Sequence, residues 1–346
     1  MLVKILHNPT PPGTMMTASK LSCKPPRATF KEFLKTSDTR HELGSALRRV
    51  GDHRRPGPRL VPMGAVLTAA VAGFAGKAGA VSTWEDTLRH RPMVRRLLRT
   101  TGHTGPIADD TFALAFDAAS LKDLQSILRK QTKRELQRWS TGPHATSRLG
   151  KDLVAHGARQ LAAWPVLAVD GHCLFTCKER KCEACIQIRT SHGDRWEHKV
   201  VVAQWVGTHP AIVVDFEPIM PNEGEITAAK RLLTRIATEL PEAITPPHAV
   251  ATLMMERWSQ ENTGFHELVG HMKLDRAYVH KGRANAVWTV VAVALIAYNA
   301  WQAYLYKVLK LDPLRPERTW GNLQRDLWSS LGTCDESRAN ATTGPP

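Results

Sequence analysis

The sequence predicts an α/β protein with a mostly helical, basic first half and a second half that mixes strands with helices. Two observations carry this reading. Before about residue 140, apolar residues recur at helical spacing between Gly/Pro turns. From residue 165, short apolar or alternating runs of strand length appear (165–169, 184–190, 197–206 and AIVVDFEPI), followed by long helical patterns.

At 346 residues the chain is long enough for two domains with sizeable cores. Four spans are expected: a disordered lead (1–28), a helical basic DNA-binding domain (29–145), a second domain (160–310), and a C-terminal helix with a disordered tail (311–346). The formal net charge is +15. Residues 1–160 hold 27 Lys and Arg against 12 Asp and Glu, and the remainder holds 20 of each. A basic excess confined to one half is the footprint of a polyanion partner. Nucleic acid fits better than lipid, because the basic runs alternate with helical patterns and turns.

The N-terminal residues MLVKILHNPTPPG contain no apolar run of signal-peptide length. Six cysteines without a secretory signal suit a reducing compartment, so a cytoplasmic, nucleoid-associated location is expected. Ala286–Tyr306 is long enough to span a bilayer. It carries Asn299 and Gln302, and it is expected to be a core helix rather than a membrane anchor.

Prolines 9, 11, 12, 25 and 26 break up the lead. Helical patterns follow at about 29–36 and 41–50, then a basic linker, HRRPGPR. Val61–Ala80 is apolar and rich in small residues; its four glycines weaken a helix but permit close packing. Thr83–Thr100 predicts a continuous helix ending in Arg95, Arg96 and Arg99, where cations suit the helix dipole. Asp109 and Asp110 start the next helix, and a longer one runs to about Trp139 with Lys130, Lys133, Arg134 and Arg138. These arginine and lysine clusters on short helices are the candidate DNA contacts. In the second half, WPVLAVDGH predicts a short strand, Pro165–Val169, delivering Asp170 at its end. Asn222 is placed to cap a helix over 223–239.

The stretch RWSQENTGFHEL (257–268) puts Arg257 and Glu261 four apart, on one helical face, with Glu267 on another. Trp258, Phe265 and Leu268 mark an apolar stripe. An acid beside a base on the buried side suits a metal-bound phosphodiester site. The spacing alone is better suited by an amphipathic helix with a surface ion pair.

Taken in order, LAVDGH, KERKCEACIQIRT, VVVAQWVG, DFEPIMPNEGEITAAKRLL, RWSQENTGFHEL and AYNAWQAY resemble a bacterial insertion-sequence transposase of the DDE class. The resemblance covers about 165–310 and extends more loosely to 60–135, through IADDTFALAFD. It implies a ribonuclease H-like, retroviral-integrase-like catalytic domain, with Asp170 as the first catalytic aspartate and Glu261 as the glutamate. It also implies two magnesium ions about 3.5–4 Å apart, and Arg257 steadying phosphate or the glutamate. Met254 and Val269 depart from the tyrosine and lysine usual in the family.

The larger departure is the middle aspartate. No aspartate lies between Asp215 and Asp275, and only 20 residues separate Leu240 from Glu261. A strand of about 5–6 residues with a turn on each side barely fits there. The domain is therefore read as truncated by an internal deletion. Asp215 and Glu217 are expected two strands from Asp170, too far to substitute, and Glu223 and Glu225 are read as helix-start residues.

Cys173, Cys177, Cys182 and Cys185 fall within 13 residues, and Cys182-x-x-Cys185 is a zinc-knuckle spacing. A structural zinc and reduced thiols on a hairpin are both open. His192, His198, His266 and His271 are read as surface or core residues. The functional expectation is a DDE-type transposase, inactive for want of its second aspartate, with transposon-end DNA and a second copy of the chain as partners, magnesium as the cofactor the resemblance implies, zinc left open at the cysteines, and no membrane. The alternative is a DNA-binding or dimerising remnant that competes with an intact transposase.

Overall fold

The computed structural model describes residues 42–57, 60–77, 79–90, 101–139, 166–191, 193–206, 210–239, 265–276, 284–311 and 319–330, with 29, 32–33, 97–98 and 278–279. Its elements, in chain order, are helices α1 (Glu42–Arg48), α2 (Met63–Ala75), α3 (Val81–Leu88), α4 (Asp109–Ala118) and α5 (Leu121–Trp139); strands β1 (Val166–Cys177), β2 (Ile186–Thr190), β3 (Gly193–Val206) and β4 (Val213–Ile219); then helices α6 (Glu225–Glu239), α7 (His266–Gly270), α8 (Ala284–Ala303), a π-helical turn (Tyr304–Val308) and α9 (Trp320–Ser330). The fold is mixed helix and sheet, as expected.

The four strands form one antiparallel sheet with β3 at its centre. β1 runs along one side of β3, from Val166 opposite Val206 to Cys177 opposite Trp196. On the other side β2 and β4 lie end to end, pairing with Gly193–Glu197 and Lys199–Gln204 respectively. Val200–Ala203 on β3 is an unbroken run of buried apolar residues, because a strand covered on both faces has no solvent side to alternate towards.

One face of the sheet packs on α6 through Val201, Ala203 and Trp205 against Ala228, Leu232 and Ile236; each buried aliphatic side chain there contributes roughly 1.5–3 kcal/mol. The other face packs on α8. Of the residues from Ala284 to Gln302 only Asn285 is not buried, which is why the helix is apolar all round. It is long and apolar enough to cross a membrane, and 94% of its apolar window is buried inside the fold, so the core-helix expectation is borne out. Two asparagines anchor it to its neighbours. Asn299 accepts from Val213 N–H and donates to Val213 C=O, each at 2.8 Å. Asn285 donates to the carbonyls of Phe116, Asp117 and Ala119 at the end of α4. α8 also packs on α2, α4 and α5, so helices from before residue 140 and the sheet that follows share one apolar core.

The glycines of α2 serve close packing. A Cβ on Gly73 would lie 2.4 Å from the Trp84 indole nitrogen, and one on Gly76 would lie 2.2 Å from the Trp328 ring.

Three expectations need correction. The helix from Thr83 stops at Leu88 rather than running to Thr100, four residues short of Pro92, whose ring disfavours helix before it. The strand at 165–169 is twelve residues long, so Asp170 is its fifth residue and not its end. Asn222 does not cap a helix; it takes φ 67 in the turn before α6. Glu223 closes that turn, accepting Met220 N–H at 2.6 Å.

Candidate functional site

Asp170 is 9% exposed and sits opposite Val202 on β3, which in turn sits opposite Phe216 on β4. Strand alternation places it on the α8 face of the sheet, with His172 two residues on. The His172 ring stacks on Phe265 with centroids 4.4 Å apart and planes 12° apart. This stack brings the end of RWSQENTGFHEL onto β1 beside Asp170. Glu261 and Arg257 themselves lie outside the described residues.

The acids weighed as substitutes are committed elsewhere. Asp215 is on β4, two strands from β1, in register with Ala203 rather than with Val202, and so on the opposite pleat from Asp170. Its Oδ2 accepts Arg129 Nη1 and Arg235 Nε, each at 2.7 Å, and its Oδ1 accepts Phe216 N–H. Burial pushes the Asp215 carboxyl up, and the two guanidiniums oppose that shift. Glu217 pairs with Arg231 and Arg235, and Glu223 with Arg231. The Glu225 carboxylate lies over Gly171, within 2.2–2.7 Å of where a Cβ would be. That puts it on the far side of β1 from Asp170. Arg129 gives no signal in the sequence as the partner of Asp215, because it is 86 residues away.

Glu267 is set apart from the acid site in sequence, and the fold buries it in a polar network. Its Oε2 accepts Tyr298 O–H at 2.7 Å and Gln302 N–H at 3.0 Å; Tyr298 in turn accepts from Gln204 on β3. Burial holds the Glu267 carboxyl up at about 7, against those two hydrogen bonds.

The cysteines divide. Cys182 and Cys185, in the connection between β1 and β2, meet His198 of β3; the three are 6%, 2% and 1% exposed. The two sulfurs are 3.7 Å apart, and each lies 3.4 Å from His198 Nε2. Burial pushes the Cys182 thiol up to about 12, which makes it a poor nucleophile at neutral pH. His198 is braced by Phe175 and by Trp288 of α8, at centroid distances of 5.0 and 5.3 Å. Cys177 is half-buried, and Cys185 acts electrostatically on it. Cys173 does not join. It is exposed and opposite Lys199, whereas Phe175 is opposite His198, and the irregularity between them turns Cys173 to the other face. His198 is a core histidine, as expected, but it is also within ligand distance of both thiols. The signal that could have found it is its spacing: 12 residues lie between Cys185 and His198, as in a zinc finger. Among the described residues, this is the one group of three side chains with metal-ligand geometry.

Of the basic residues, Lys130 and Lys133 are exposed on α5, and Arg134 is half-buried. Arg95, Arg96, Arg99 and the side chain of Arg138 lie outside the described residues. No protein-family model, no curated protein and no solved structure matches the chain.

Proposed function

We propose that the chain is a DDE-class, transposase-derived protein that binds DNA and does not cut it. The observation that carries this reading is the His172–Phe265 stack. It supports a shared location for Asp170 and the Glu261 segment, as a ribonuclease H-like site requires. The sheet order, with the Asp170 strand beside β3 and β3 beside β4, is compatible with the first three strands of that fold.

A centre with two magnesium ions needs several converging carboxylate oxygens. Among the described residues, Asp215, Glu217 and Glu223 are bound by arginines, Glu225 is on the other face of β1 from Asp170, and the exposed Asp275 acts electrostatically on His172. Among the described residues no three carboxylates converge as a two-ion centre requires, and the described donor set does not fit one. The exposed lysines of α5 and the basic half around them remain as a surface for phosphate. In this reading the protein occupies transposon ends and competes with an intact transposase.

A mobility-shift titration of the full chain on duplex DNA tests the binding. Retention at low salt, falling steeply as salt rises, is the expected result. Absence of binding at low salt would remove the reading.

A further inference from the structure

We propose that Cys182, Cys185 and His198 hold a structural zinc ion, with Cys177 as the fourth ligand. This stands apart from the DNA reading and would hold if that reading failed.

The distances carry it. Around a tetrahedral zinc with Zn–S near 2.3 Å and Zn–N near 2.0–2.1 Å, two sulfurs lie about 3.8 Å apart, and a sulfur and a nitrogen about 3.6 Å. The observed separations are 3.7 Å and twice 3.4 Å. Hydrogen bonding accounts less well for this arrangement. An imidazole nitrogen has one hydrogen or one lone pair, yet His198 Nε2 is equidistant from two sulfurs. A cation between the three atoms satisfies all of them at once. Two thiolates and an imidazole select zinc over the hard cations, which take oxygen.

The Cys177 sulfur lies outside the group of three whose ligand atoms are within 4.8 Å of one another, and the strand is what assigns it the fourth position. Phe175 is opposite His198, and Cys177 is two residues further along β1, so Cys177 and His198 share a sheet face. Zinc bound there would tie three pieces of chain together: the end of β1, the connection to β2, and β3. Binding releases the thiol protons to solvent and leaves the sulfurs as thiolates. The ion would thus pin the strand that carries Asp170 without taking part in its chemistry.

The test is metal analysis of the full chain, purified from zinc-supplemented cells without chelator and with a phosphine reductant, followed by cobalt(II) substitution. One zinc per chain is expected, and the cobalt form should show the visible and charge-transfer absorption of a tetrahedral thiolate site. His198→Ala and Cys185→Ser should lower metal affinity by more than the roughly 10–100-fold that loss of a ligand's hydrogen-bond partner costs. Cys177→Ser should weaken binding and reduce the charge-transfer intensity, whereas Cys173→Ser should change neither. His198→Cys preserves a four-donor set and should keep the metal, which guards against variants that simply misfold. A wild-type chain that carries no zinc and gives no cobalt spectrum overturns the site, as does a His198→Ala variant with the wild-type spectrum. An unchanged Cys177→Ser spectrum overturns the fourth ligand.

Discussion

Arg129 on α5 and Asp215 on β4 are 86 residues apart in sequence and joined by a buried ion pair at 2.7 Å. Arg235 on α6 closes on the same carboxylate oxygen, so one acid fastens two helices to the edge of the sheet. Removing it takes this carboxylate from the buried Arg129, while Arg235 keeps Glu217, and breaking a buried pair in this way costs about 3–5 kcal/mol. Asp215→Ala should lower stability by that order in urea unfolding. Arg129→Met combined with Asp215→Leu should cost less than Asp215→Ala alone, because it leaves no unpaired charge from that pair.

Glu267 gives a pH signature. Its carboxyl is held by burial at about 7 in the folded chain, against 4.5 as its ordinary value. Between those values the folded state binds the proton more tightly than the unfolded state. Stability should therefore be fullest below about pH 4.5 and fall as pH rises towards 7, by roughly 3 kcal/mol from this group alone. Glu267→Gln, which cannot ionise, should flatten that slope and be more stable than the wild type at pH 8. Chemical unfolding at a series of pH values, wild type against variant, measures it.

The close approach of α2 and α3 predicts a packing defect. In Gly73→Ala the new methyl would meet Trp84 at 2.4 Å, and the rigid indole must move. Overpacking of this kind costs about 1–3 kcal/mol, so the melting temperature should fall, although alanine is the better helix former.

If α5 binds phosphate, Lys130→Ala with Lys133→Ala should weaken binding similarly across DNA sequences. It should also reduce the slope of log K against log salt by about 1 for each lysine that neutralises a phosphate. An unchanged slope would place the DNA on another face.

How much of this was legible in the sequence depended on whether the determining interaction was local. Strand and helix periods located β3, β4, α5 and α8 closely, since each buries a continuous apolar face. Asn299 and Gln302 were readable as signs of a core helix rather than a membrane helix, though not as partners of Val213 and Glu267. The glycines of α2 announced close packing without naming Trp84. The approach of His198 to the two thiols depends on a hairpin that returns β3 to the Cys182–Cys185 turn, and only the 12-residue spacing pointed to it. Cys173 joined the cluster on spacing alone, and the local irregularity in β1 that turns it away leaves no mark in composition. Arg129 was invisible as the partner of Asp215 because the two are 86 residues apart.

The most direct test is incubation of the full chain with a duplex carrying the DNA that borders its coding sequence on both sides, in magnesium, with strand breaks resolved on a denaturing gel. A bound but uncut duplex is expected, unchanged by Asp170→Ala. Magnesium-dependent cleavage that disappears in Asp170→Ala would contradict it.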